Sequence, residues 1–297
     1  MVKILRIFPK RNKATPDDEL VRIGFPVEGD NIPSVDEIHV SVTFTYDKEK
    51  AEAMAEVWSK AMRIPTKIGG PAYDDPGGEF EPGKYLAKGN IITSRGCPRS
   101  CWFCMAAARE GHVMRELEIK DGWNVHDSNL LACSPEHIKK VFAMLKRQPE
   151  RAGFVGGLDT KFVKPWIAEE LVILKPRVIF LAYDTPDDRE PFVEAMRMFR
   201  EAGLFRTGHC VTCYVLIGYK NDTIEKAEAR LKFVVEQGAL PYAMLYRAEE
   251  GIVKPDWRGF QRQWCHPMIT SSKLVFFKKH GTHLVFDPNY KSRSREA

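Results

Sequence analysis

From residue 90 onward, short β-branched runs alternate with amphipathic stretches, and this alternation constrains the fold more than any other feature. NIITS (90–94), GWNVHD (122–127), AGFVGGLD (152–159), RVIFLAYD (177–184), CVTCYVLIGY (210–219) and LPYAMLYR (240–247) read as strands. Helices are expected from Ser134 onward and over 166–174, 187–202 and 223–237. Ser134 suits an N-cap and Pro135 the first helical position, while Gly203 and Gly238 sit where helices end. Strand–helix units in succession require right-handed crossovers, hence a parallel, curved sheet. The expected class is α/β, a partial (β/α)6 TIM-like barrel over 86–250. Ahead of it, VDEIHVSVTF (35–44), a helix over 47–62 and PTKIGG (65–70) make a small N-terminal α/β segment, residues 1–85. The stretch 71–85 is dense in Gly, Pro and Asp and reads as a linker or wrapped loop. Residues 251–297 form a C-terminal extension whose aromatic content suits a cover for the barrel.

Bulk properties narrow the classes. The chain has 297 residues, 44% hydrophobic and 29% charged, with no internal repeat. No apolar run approaches the ~20 residues of a membrane span. The apolar part of MVKILRIFPKRNK is too short for a signal-peptide core. A cytoplasmic protein without a membrane partner is expected. The net charge of +5 is mild for this length and fits a solvated surface. The basic tail Lys291, Arg293, Arg295 is the one candidate for nucleic-acid contact, and a frayed soluble tail is the simpler reading.

In parallel α/β sheets function gathers at the carboxyl ends of the strands. Here those ends carry a cysteine loop, Asp127, the turn Gly156-Gly157-Leu158-Asp159, Tyr183-Asp184, Gly218 and Arg247. That set fits a working face, and it equally fits ordinary loop chemistry.

The cysteine loop is the informative segment: Ser94-Arg95-Gly96-Cys97-Pro98-Arg99-Ser100-Cys101-Trp102-Phe103-Cys104. Three of the seven cysteines fall at spacing C-x3-C-x2-C straight after a predicted strand. Disulfides are not expected of a cytosolic chain. An apolar helical stripe has the same spacing, but Gly96 and Pro98 oppose a regular helix there. Structural zinc with His112 as fourth ligand is a second alternative, although no well-spaced second ligand pair follows. An iron–sulfur cubane fits better. It takes thiolates from a short irregular loop, normally four, so three leave one iron open to an exogenous ligand.

This loop resembles the signature of the radical S-adenosylmethionine (SAM) superfamily, C-x3-C-x-aromatic-C, with Phe103 at the aromatic place. The resemblance implies that Cys97, Cys101 and Cys104 hold a 4Fe-4S cluster whose open iron chelates SAM. It further implies reductive cleavage to a 5′-deoxyadenosyl radical, which abstracts hydrogen from a substrate the sequence does not name. A low-potential electron donor, flavodoxin or ferredoxin, is implied as partner. Where the family has Gly-Gly-Glu after its second strand, this chain has His126-Asp127-Ser128-Asn129, which makes Asp127 and Asn129 the candidates for the cofactor amine. Gly156 and Gly157 are candidates for close backbone approach to the cofactor, or for tight packing. Tyr183 and Asp184 suit the ribose hydroxyls, or in the case of Asp184 a turn cap. Ile217 and Gly218, in Val215-Leu216-Ile217-Gly218-Tyr219, resemble the region that backs the adenine, although its first glycine is missing.

The first 75 residues weakly resemble the end of a cobalamin-binding domain. The ligating motif D-x-H-x-x-G is absent and His39 has the wrong spacing, so a degenerate remnant without corrinoid is expected. Cys133, Cys210, Cys213 and Cys265 are expected as buried structural thiols, with an auxiliary cluster as the alternative. Three functions therefore compete: a radical SAM enzyme, with methyl or methylthio transfer as its variant; an electron-transfer or sensing protein taking a fourth ligand such as Cys133; and a zinc-stabilised protein.

Overall fold

The computed structural model describes residues 2–207, 210–247 and 255–265. The chain divides into two compact units, Met1–Glu150 and Arg151–Ala297. Both are α/β with parallel sheets.

The first unit opens with β1 (Ile4–Phe8), β2 (Val21–Ile23), β3 (Glu37–Ser41) and β4 (Thr66–Gly69), all parallel, in the order β2-β1-β3-β4. Alternation along the strands sorts their side chains to two faces. Leu5, Ile7, Ile38 and Val40 form an apolar face, which α1 (Lys48–Met62) covers with Ala51, Met54, Ala55 and Trp58. That i, i+3, i+4, i+7 spacing makes one helical stripe. The Trp58 indole N–H finds the Gly24 carbonyl at 2.9 Å, so its burial leaves no donor orphaned.

The opposite face carries Arg6, Glu37 and His39 and is covered by the chain's own glycine-rich stretch. The Arg6 guanidinium donates to the carbonyls of Gly83 (3.0 Å) and Lys84 (2.6 Å) and pairs with Asp18. Nδ1 of His39 lies 2.5 Å from the Tyr85 hydroxyl, and the two rings stack. Farther along the chain, the Arg115 guanidinium donates to the carbonyls of Pro76 and Gly77. Composition reads 71–85 as a linker or a wrapped loop. Cationic side chains tie it down as a wrapped strap within one compact unit.

The remainder of that unit holds β5 (Asn90–Ile91), β6 (Ser94–Arg95), α2 (Ala106–Glu110), β7 (Arg115–Glu116), β8 (Asn124–Val125) and α3 (Pro135–Lys146). β5 pairs with β8 in parallel, and β6 with β7 in antiparallel fashion. The strand expected over 90–94 is thus two short pieces, and that over 122–127 is two residues long. The reason lies in Asp127, whose carboxylate takes the Thr93 amide and hydroxyl and the Ser94 hydroxyl and so displaces ladder bonds. α3 begins as the sequence predicts, with the Ser134 hydroxyl accepting from the His137 amide at 3.2 Å.

The second unit holds β9 (Gly153–Phe154), α4 (Pro165–Leu174), β10 (Val178–Ala182), α5 (Arg189–Ala202), β11 (Val211–Ile217), α6 (Ile224–Glu236), β12 (Leu240–Leu245) and α7 (Pro255–Cys265). Its strands pair in parallel in the order β12-β11-β10-β9. Phe192, Met196, Phe199, Leu231 and Val234 bury the inner faces of α5 and α6. Gly203 ends α5 in the left-handed conformation at φ 92°, as its position predicts. The strand expected over 152–159 is confined to 153–154, since Gly157 turns the chain at φ 95°. Of the expected C-terminal extension only α7 is described, and the basic tail lies outside the described residues. Among the described residues no helix is long and apolar enough to cross a membrane.

Candidate cluster site

The cysteine loop is anchored at its entry by a glycine that no other residue can replace without strain. Gly96 has φ 100°, and a Cβ there would stand 2.4 Å from the Val113 carbonyl oxygen. Its amide donates to Glu110 Oε2 at 2.9 Å, and the next amide, of Cys97, donates to the Gly111 carbonyl at 3.0 Å. Together these bonds clamp the loop's first residue to the end of α2.

Burial alone would push the Glu110 carboxyl up. The Gly96 amide, the Arg109 guanidinium and the Ser128 hydroxyl together outweigh it and hold the group below its ordinary value. Glu110 is therefore an anion at neutral pH, held 2.9 Å from Arg109.

Within the loop the thiols differ in exposure. Cys97 is buried, Cys101 intermediate and Cys104 exposed. The Cys104 amide donates to the Cys101 carbonyl at 3.0 Å, a turn that brings these two residues together. The Ala106 amide approaches Cys104 Sγ at 3.5 Å, and the side-chain amide of Asn129 donates to Cys97 Sγ at 3.5 Å. Donors to sulfur favour the thiolate, the form that ligates metal. Trp102 and Phe103 meet edge to face at 5.3 Å, with Trp102 and Met105 exposed beside Cys104. Among the described residues no three His, Cys, Asp or Glu side chains close on one point as a single metal ion needs. A cubane makes a different demand, one thiolate at each ligated iron around a cluster, and a loop with differently placed thiols suits it. His112, the zinc alternative's fourth ligand, is exposed.

The other candidates fall in separate places. Asn129 reaches the cluster loop directly. Asp127 acts one layer below it: its carboxylate is buried, and it accepts from the Thr93 amide at 2.7 Å and from both the Thr93 and Ser94 hydroxyls at 2.6 Å. It braces the strand that delivers the cysteines. In the second unit, Tyr183 is buried and stacks on Phe192 at 6.0 Å, with Phe233 at 5.5 Å, in the helical layer. Asp184 accepts from the Leu216 amide at 2.8 Å. Ile217 is buried, and a Cβ on Gly218 would stand 2.7 Å from Leu245 Cδ1, so that glycine serves close packing. Gly157, preceded by Gly156, has open space beside it, its nearest neighbour being the Phe180 carbonyl oxygen at 3.7 Å.

Of the remaining cysteines, Cys133 is buried and its thiol is pushed up to about 12 by burial. Cys213 is sealed in the core, while Cys210 precedes β11 and is partly exposed. Cys265, at the end of α7, is partly exposed. Sequence reasoning missed Glu110, Thr93 and Ser94. Each works through a partner 14 to 34 residues away, so no local pattern marks it.

Fold and loop together define an α/β protein with parallel sheets and a three-thiol loop at a strand end. No family model and no curated protein matches the sequence. Among solved structures the chain is similar to "radical S-adenosylmethionine methyltransferase, TsrM, from Kitasatospora setae with cobalamin and [4Fe-4S] cluster bound". The match has a TM-score of 0.55 at 14% identity and covers 84% of this chain and 76% of that one. At that identity the likeness is one of fold.

Proposed function

We propose that this chain is a radical SAM enzyme whose 4Fe-4S cluster is held by Cys97, Cys101 and Cys104 on a core of the partial-barrel type. The observation that carries the reading is the loop itself: three thiols on one irregular segment, with amide donors on the Cys97 and Cys104 sulfurs. The fold likeness to a radical SAM methyltransferase supports it. A cluster bound there would supply the electron that cleaves SAM reductively, giving a 5′-deoxyadenosyl radical able to abstract substrate hydrogen.

The chain's own residues prepare that chemistry. Glu110 fixes the loop's entry through the Gly96 amide, and Asp127 fixes the preceding strand through Thr93 and Ser94. Asn129 donates to the Cys97 sulfur, and Phe103, between Cys101 and Cys104 in sequence, meets Trp102 edge to face. Asn129 is the first unit's candidate for the cofactor itself; Gly156, Gly157 and Asp184 are the second unit's candidates on the sequence pattern, where Tyr183 and Ile217 are buried. A flavodoxin or ferredoxin in the reducing cytoplasm would deliver the electron.

Methyl transfer is the second reading, favoured by the cobalamin-bound methyltransferase among the similar folds. The cobalt-ligating motif and its histidine do not support that variant. D-x-H-x-x-G is absent, and His39 has Nδ1 on Tyr85 and Nε2 on Glu37 at 2.8 Å.

Anaerobic reconstitution tests the reading. It should load about four irons per chain and, with SAM and dithionite, yield 5′-deoxyadenosine. Cys133→Ala should keep the cluster and Cys97→Ala should lose it. A fully loaded protein that forms no 5′-deoxyadenosine would overturn the proposal.

A further inference from the structure

The strap over the polar face of the N-terminal sheet leaves a cavity of about 550 Å³ inside the first unit. That is within the roughly 300–1,000 Å³ typical of small-molecule sites. One wall is the carboxyl end of β3 and β4, with Ser41 and Gly69, and another is the strap, with Phe80 and Tyr85. The floor belongs to the cluster loop: Arg95 stands two residues before Cys97, and Ser128 adjoins the Asn129 that donates to Cys97 Sγ.

Its charges are mostly spent within the protein. Among the acids, Glu110 is taken by Arg109 and the Gly96 amide, Glu81 pairs with Lys84 at 3.0 Å, and Asp75 accepts from the Gly77 amide. Lys67 pairs with Glu37. Glu79 is exposed to water. Arg95 differs. Among the described residues its guanidinium pairs with the already satisfied Glu110, at 3.6 Å, and its Nε is buried with no hydrogen-bond partner. A buried guanidinium N–H left without an acceptor is costly, and a ligand oxygen would satisfy it. Gly77, at φ 64°, lets the strap lie against this guanidinium: a Cβ there would stand 2.4 Å from Arg95 Cζ.

We infer that this cavity binds a small aromatic or apolar molecule carrying a carboxylate or phosphate, with Arg95 as its anion partner and Phe80 and Tyr85 as its apolar wall. Its position against the cluster strand makes that molecule the substrate of the chemistry proposed above. The role as substrate rests on that reading, whereas the binding does not.

Phenylacetate and phenyl phosphate probe the two anions, titrated calorimetrically into the reconstituted full-length protein. Saturable binding of one or both is expected, and their relative affinities tell carboxylate from phosphate. Arg95→Met should weaken binding at least tenfold. Because Arg95 adjoins the loop, Gly69→Leu provides an independent arm. Gly69 has an ordinary backbone conformation, and a Cβ there meets nothing closer than Asp75 Oδ2 at 3.9 Å, so a leucine fills the cavity from the far wall. It should abolish binding while iron content and thermal unfolding stay at the parent values. Protein that loads iron and cleaves SAM but binds neither probe overturns the cavity alone. Binding that survives both substitutions overturns it equally.

Discussion

The side-chain amide of Asn129 donates to the Sγ of Cys97 across 3.5 Å, and both residues are buried. This bond reaches the most enclosed of the three loop thiols. A donor to a cluster sulfur stabilises the more negative, reduced state and raises the reduction potential. Asn129→Leu should therefore keep its iron and show a more negative potential in a spectroelectrochemical titration. An unchanged potential would remove Asn129 from the site.

Gly96 sits where backbone conformation and close approach both exclude a side chain. The φ of 100° alone costs an L-residue of order 1–3 kcal/mol. A Cβ 2.4 Å from a backbone oxygen adds to that. Gly96→Ala should reconstitute with well under the parent's iron while far-UV circular dichroism stays close to parent. Full iron loading would show that the loop tolerates a different entry.

Asp127 supplies acceptors for one amide and two hydroxyls in a buried setting. Its removal orphans those donors at about 1–3 kcal/mol for each group left unsatisfied, partly offset by relief of the burial that pushes its carboxyl up. Asp127→Ala should lose about 3 kcal/mol in denaturant unfolding, the size expected when a buried hydrogen-bond network is broken. A loss below about 1 kcal/mol, typical of a surface change, would contradict the bracing role.

Glu110 links stability to pH. Its folded carboxyl lies below the ordinary 4.5. A group depressed in this way adds stability above its unfolded value and loses it as pH falls through the folded one. Glu110→Gln should thus be less stable than parent at neutral pH, and the gap should close below about pH 4.5. A gap independent of pH would show that the interaction is not that of the anion.

Arg6 holds the strap through two carbonyls and Asp18. Hydrogen bonds to a charged donor are worth about 1.5–3 kcal/mol each, less where water can substitute. Arg6→Met should destabilise by about 2–4 kcal/mol and open residues 75–86 to limited proteolysis. Unaltered cleavage there would mean that the strap is held by other contacts.

Local chemistry was readable in the sequence wherever a residue acts on its near neighbours. The Ser134 cap, the Gly203 stop, the stripe of Ala51, Met54, Ala55 and Trp58, and the parallel pairing of β9 to β12 all follow from short spacings. The cysteine spacing likewise marks the loop. Long-range ties were hidden. Nothing near Arg6 announces the carbonyls of Gly83 and Lys84, and nothing near Thr93 announces Asp127, which shortens the strand leading into the loop. The strap was legible only as a choice between a linker and a wrapped loop, for the same reason. Its glycines and prolines encode a turn-rich path, and long-range contacts such as those of Arg6, Tyr85 and Arg115 determine that the path is packed down.

The central claim is that one iron of the cluster is left without a protein ligand, and its most direct test is electron paramagnetic resonance of the reduced, fully loaded protein with and without SAM. A shift of the signal on adding SAM is expected, the same in parent and Cys133→Ala. A spectrum indifferent to SAM, in a protein whose cluster is lost on Cys133→Ala, would show that corner filled by the chain itself.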